Sequence, residues 1–187
     1  MRRGNQGQRR QAGFTLVEAL IAMLVLAFGI LSLAGVFAQG IAVASMTQMD
    51  YIAENKAEEA IESIFAARDS KQQPWANIRN VKGGSGSDGG IFLDGPRPLV
   101  APGVDGLYGT ADDDLTTPDV VILGPGPDNL LGTSDDMVLP LTGMTRTIAI
   151  TDITGQPNLR QITITMNYQV GHTTRQYTVL SYISQFS

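Results

Sequence analysis

An uncharged run of 20 residues, 19–38, constrains this chain more than any other feature. Leu, Ile, Val, Ala and Met dominate it, Gly29 and Gly35 are its only weak helix formers, and it holds no Pro. At a rise of 1.5 Å per residue, a helix of this length spans the roughly 30 Å of a bilayer's hydrocarbon core. Arg2, Arg3, Arg9 and Arg10 precede it, which predicts a cytoplasmic N-terminus and an extracytoplasmic remainder. Glu18 stands at the head of the run. A lone carboxylate costs about 2.5–3.5 kcal/mol at the centre of a span and less near its end, so a partner is expected. No Lys or Arg follows until Lys56. Cleavage between Gly13 and Phe14 would create an α-amino group one helical turn from Glu18, and the amino group of a neighbouring subunit would serve as well.

The Arg-rich leader, the block Gly13-Phe14-Thr15-Leu16-Val17-Glu18 and the unbroken apolar helix resemble the class III signal of type IV pilins and type II secretion pseudopilins. The run 13–36, followed by Gln39, most resembles the PilV-like minor pilins. The resemblance covers the first 45 or so residues. It implies that a prepilin peptidase cuts after Gly13, that Phe14 becomes the N-methylated first residue, and that Glu18 serves cutting or assembly. It also implies other pilin or pseudopilin subunits and an inner-membrane assembly platform as partners. The location would be the inner membrane, crossed once, and then a pilus or pseudopilus. An ordinary secretory signal fits less well, because its cleavage site follows a shorter apolar region. Two departures stand out. Gly35 sits where many major pilins carry a helix-kinking Pro, and the chain has no Cys to staple a C-terminal loop.

Beyond residue 44 the apolar positions become periodic. Met49, Ile52, Ala53, Ala57, Ala60, Ile61, Ile64 and Phe65 recur at steps of three and four, with Glu54, Glu58, Glu59 and Glu62 between them. The helix is therefore expected over 15–67, on the order of 80 Å long, with its second half covering a globular domain. The glutamates read as its solvated face. Pro74 closes the segment.

Residues 82–90, KGGSGSDGG, have the composition of a flexible linker. Residues 85–140 then hold ten aspartates, no glutamate and one basic residue, Arg97. Within them 102–113 (PGVDGLYGTADD) and 125–136 (PGPDNLLGTSDD) form a repeat at an offset of 23, identical at eight of twelve positions. Short apolar segments, 120–123 and 137–139, follow the two copies as possible strands. Two readings of the repeat stand. Asp105, Asp112 and Asp113, with Asp128, Asp135 and Asp136, supply the hard oxygen ligands of a calcium site, and the pattern resembles acidic repeats of secreted bacterial proteins. It does not fit the EF-hand spacing. Alternatively Asp105-Gly106 and Asp128-Asn129 are turn pairs whose Asp and Thr side chains cap loop amides.

The last third alternates as strands do. Ile162, Ile164, Met166, Tyr168 and Val170 interleave with polar residues over 161–170, and 145–153 and 175–183 are similarly rich in Thr, Ile, Val and Tyr. Turns are expected at 155–158 and 171–172. The expected fold is α+β and pilin-like: a long N-terminal helix on a C-terminal antiparallel meander, with an Asp/Gly-rich insertion. The expected organisation is a leader (1–13), a membrane or fibre-core helix (14–44), its amphipathic half (45–69), a linker and loop region (70–144) and the sheet (145–187).

Net charge is −5, and loss of the four leader arginines leaves nine basic against eighteen acidic side chains, −9. That argues against general nucleic-acid binding. His172, the single histidine, reads as a solvated turn residue, and Trp75 as packing for the helix end. With no second His, no Cys and no nucleophile motif, no catalytic residue is assigned and the chain is not expected to be an enzyme. The expected function is that of a minor pilin. The alternatives are a minor pseudopilin of a type II secretion system and a membrane-anchored, calcium-dependent adhesion module.

Overall fold

A computed structural model describes residues 15–82, 89–171 and 173–186. Gly13, Phe14, His172 and most of the Gly/Ser linker lie outside them. The chain divides into two units, Met1–Ala44 and Ser45–Ser187, and helix α1 (Leu16–Asp69) contributes to both. In the first unit every described side chain is exposed, and the helix is long and apolar enough to cross a membrane.

In the second unit the three- and four-residue spacing of α1 becomes a packing face. Ile52, Ala53, Ala57, Ala60, Ile64 and Ala67 are buried. Four of the six are Ala, which brings backbone close to the opposing layer at little cost in side-chain entropy. That layer is the antiparallel sheet β1 (Arg97–Pro98), β4 (Thr145–Ile153), β5 (Gln156–Val170) and β6 (Thr173–Ser184), in the order β1-β4-β5-β6. Its inner face carries Ile148, Ile150, Ile162, Ile164, Met166, Tyr168, Val170 and Ile183, which share one core with the helix. The expected α+β arrangement of long helix and antiparallel sheet is what the structure shows. A second sheet pairs β2 (Val120–Gly124) with β3 (Met137–Pro140), the two short apolar segments of the insertion.

One expectation needs correction. The turn placed over 155–158 is shorter: β5 starts at Gln156, and Pro157 is accommodated near the strand's end, where Ile153 pairs with Gln156 across a register shift. The meander, expected to have at least three strands, has a fourth, β1, only two residues long. Beyond its reach the side chain of Asn80 takes over, donating to the Ile148 carbonyl (2.8 Å) and accepting from the Ile150 amide (2.7 Å). One buried amide thus satisfies an edge that would otherwise be open.

Trp75 begins a single 3₁₀ turn (Trp75–Asn77) after α1 and packs against the core. The Arg160 guanidinium lies over its ring at 4.0 Å, donates to the carbonyls of Trp75 and Ile78, and pairs with Asp152 at 2.9 Å. Arg160 is 1 % exposed, and burial pulls its pKa down. The stack pins the segment after α1 to the sheet.

Replacing Ile164, fully buried on β5, by Ala is expected to cost about 2–5 kcal/mol. Gln169→Ala on an exposed position of the same strand should stay within about 0.5 kcal/mol. Urea denaturation of both variants checks the difference.

Candidate functional site

The N-terminal site begins with a local motif. Thr15-Leu16-Val17-Glu18 has the Thr-x-x-Glu pattern of a capping box. The Thr15 hydroxyl accepts from the Glu18 amide (3.3 Å), and the Glu18 carboxylate faces the Thr15 amide and hydroxyl, both at 3.5 Å. Glu18 therefore has a partner within its own chain: the positive end of the helix dipole and the first free backbone donor. The pattern is legible in the sequence, although a search for a cationic partner passes over it. From Thr15 to Ser45 every side chain is exposed, with Leu16, Met23, Phe28, Leu31, Val36 and Ile41 each more than half so.

The second candidate is the pair of aspartate loops in unit two. Four side-chain hydrogen bonds of their internal geometry repeat. Asp112 Oδ2 accepts from the Asp105 amide (3.1 Å), and Asp135 Oδ2 from the Asp128 amide (3.2 Å). Asp105 caps the Leu107 amide and Asp128 the Leu130 amide, each at 2.8 Å. Thr110 donates to Asp112 and Thr133 to Asp135, each at 2.7 Å. Asp113 accepts from Gly109 and Asp136 from Gly132, each at 2.6 Å. The sequence difference at 106 and 129 follows the same geometry. Gly106 and Asn129 both have positive φ, +70° and +57°, which Gly and Asn adopt most readily. Gly103 and Gly126 run so close to Asp112 and Asp135 that any Cβ would collide with them.

The six aspartates are thus brought together as acceptors for loop amides and hydroxyls, three to each loop. Among the described residues no three carboxylates converge on a point that could hold a metal ion. Thr110 holds the Asp112 carboxyl below the ordinary range, and Thr133 does the same for Asp135. Burial pushes Asp113 up despite its amide donors.

The loops differ in what surrounds them. The first is docked. Leu107 and Tyr108 are 2 % and 7 % exposed, and the Tyr108 hydroxyl donates to Glu59 on α1 (2.7 Å). The Arg146 guanidinium lies over the Tyr108 ring at 4.3 Å. Lys56 joins Glu59 (2.8 Å) to Asp119 (2.9 Å). Glu59 is therefore not simply a solvated residue: it is half-exposed and held by two partners. Burial raises its pKa, but Lys56 and Tyr108 outweigh that and hold it below the ordinary value. The second loop, at the tip of the β2–β3 ribbon, has no such setting. Leu130 and Leu131, the counterparts of Leu107 and Tyr108, are 62 % and 67 % exposed.

Residues 8–34 match the family model described as the prokaryotic N-terminal methylation motif. No curated protein and no solved structure matches the chain. The N-terminus is thus of the prepilin kind, which supports the type IV pilin-like or pseudopilin class and implies processing by a prepilin peptidase and assembly with other pilins. The apolar helix with this motif at its head fits membrane anchoring.

Two outcomes are expected. Gly103→Ala should destabilise unit two by about 1–3 kcal/mol, because the displaced Asp112 belongs to a docked loop. Gly126→Ala should open only the second loop and leave the melting curve almost unchanged; circular dichroism melts of the chain in detergent compare them. On acidification, Asp135, whose folded pKa is depressed, contributes stability above the ordinary value of 3.8 and loses it as pH falls through its lower folded value. Asp112 behaves likewise, but Asp113, raised by burial, contributes in the opposite sense. The Asp128 amide resonance should therefore report opening at a higher pH than the Asp105 amide does.

Proposed function

We propose that the chain is a structural subunit, a minor pilin of a type IV pilus-like fibre. The observation that carries this reading is the wholly exposed apolar half of α1 with a methylation motif at its head. A surface of that kind has two stable settings, bilayer hydrocarbon and a bundle of similar helices, and a fibre subunit passes from one to the other. Cutting between Gly13 and Phe14 would place a methylated amino group one residue before the Thr15 amide that Glu18 already faces. The carboxylate would then meet a full positive charge, supplied in its own chain or by the next subunit. The assembly platform in the inner membrane and neighbouring pilins are the partners of this reading, prepilin peptidase its processing enzyme, and no cofactor or catalytic role is assigned.

The same N-terminus serves a minor pseudopilin of a type II secretion system, which differs in the machinery encoded beside it: a secretin with secretion-specific partners, against pilins with a retraction ATPase. The twin aspartate loops are the observation behind the other reading, a membrane-anchored module that binds through calcium. In our reading the loops are hydrogen-bonded turns. A rise of several degrees in melting temperature on calcium titration would favour the calcium-binding alternative.

The deciding measurement is the N-terminal mass of the chain co-expressed with a prepilin peptidase. The mature chain is expected to begin at methylated Phe14, Gly13→Ala to remain uncut, and Glu18→Ala to be impaired in cutting or absent from sheared fibres. A chain that keeps its leader beside an active peptidase would overturn the fibre reading.

A further inference from the structure

The chain carries one loop design twice and seats it once. In the first copy Leu107 and Tyr108 form an apolar plug in a socket whose polar wall is Arg146, with Ile148 beneath Gly109. The loop backbone is tied in as well: the Gly109 carbonyl accepts from the Leu93 amide (2.7 Å), and the Asp105 carbonyl from Gln72 (2.7 Å). In the second copy, with four of the same side-chain hydrogen bonds, the plug is Leu130 and Leu131. Among the described residues every hydrogen bond made by 126–136 closes within the loop itself. Its Asp136 Oδ1 is shielded from solvent and has no hydrogen-bond partner, whereas the matching oxygen of Asp113 accepts from the Gly103 amide.

We infer that the tip of the β2–β3 ribbon is a docking plug: Leu130 and Leu131 insert into an apolar socket, bordered by Arg or Lys, on a different protein. Charge decides the occupant. Between Arg97 and Arg146 the chain has eight aspartates and no basic residue, so the plug is apolar with an acidic rim. An anionic bilayer surface would repel it, although exposed leucines alone would suit a bilayer. A second copy is a poor receiver too. Its own socket is filled by its own first loop, Arg146 is buried, and Lys56, Arg68, Arg79, Arg160 and Arg175 are engaged in ion pairs. Arg97 borders a cavity of only about 10 Å³, too small for a leucine, and Lys71 and Lys82 are exposed. A cationic rim around an apolar pocket complements both the leucines and the aspartates, as the first loop's own seat does.

The test places the photo-crosslinking residue benzoylphenylalanine at position 131 of the full chain in the cells that produce it. A matched probe stands at Leu180, which is half-exposed on β6. Crosslinked peptides are identified by mass spectrometry. The expected product joins position 131 to an apolar, Lys- or Arg-bearing segment of another protein. Its yield should fall severalfold with Leu130→Ser and in about 1 M salt, where the screening length is about 3 Å, and it should be absent with the probe at 180. Because both leucines are exposed, Leu130→Ser leaves the fold intact, which circular dichroism checks. Crosslinks to a second copy, to lipid, or at a yield no higher than from position 180 would overturn the inference. The readout is independent of leader cleavage, so its failure leaves the fibre reading standing.

Discussion

A buried guanidinium is tolerated only where its partners are fixed, and in unit two the position of Arg146 sets much of the rest. Removing an ion from water costs several kcal/mol, recovered only by well-placed opposite charge and hydrogen bonds. Arg146 is 4 % exposed, and burial pulls its pKa down against the opposing charges of Asp119, Asp113 and Glu59, with the neutral Tyr108 ring beneath it. Those partners come from α1, the first loop and the start of β2. The guanidinium also donates to the Lys56 carbonyl (3.3 Å), so β4, helix and insertion meet at one point. A chain without cysteine uses this junction where a disulfide would otherwise close a long loop. The closure is conditional on charge in a way that a covalent bond is not.

That junction also explains why twin loops have different fates. Their hydrogen bonds are local, set by Asp, Thr and Gly at fixed offsets, so each copy closes by itself. Docking is not local. It needs Tyr108 beneath Arg146 with its hydroxyl on Glu59, and position 131 has Leu, with no hydroxyl to donate. The repeat therefore conserves a shape and leaves the seat to whatever lies nearby. For the first copy that is the core of its own chain.

The sequence makes the local part of this legible and hides the long-range part. Strict alternation over 161–170 marks β5 because one face of a sheet is buried and the other wet, and the structure buries Ile162, Ile164, Met166, Tyr168 and Val170 together. The step of three and four marks the Ala face of α1 for the same reason. Glu59 carries no such mark. It stands among solvated glutamates, and only Lys56 one turn earlier with Tyr108, 49 residues later, makes it a half-buried partner. Asn80 reads as an ordinary polar residue, yet it completes β4 across a separation of about 70 residues. A two-residue strand such as Arg97–Pro98 is too short to have a period. At the N-terminus the reverse holds: the Thr15–Glu18 capping box is a local pattern, obscured because the cost of a charge beside an apolar run directs attention to distant cations.

Exposure of apolar surface occurs in both units, and its electrostatic setting gives it different meanings. Along residues 19–38 of α1 no charge interrupts the exposed Leu, Val, Ile and Phe side chains, so the surface suits lipid and equally suits other apolar helices. At 130–131 the exposed leucines lie among Asp128, Asp135 and Asp136, and desolvating those carboxylates in hydrocarbon would cost more than the leucines return. Hydrophobicity alone would assign both surfaces to a membrane. The carboxylates separate them: one surface has no polar group left to satisfy, and the other can be covered only by a partner that satisfies its charges as it buries its leucines.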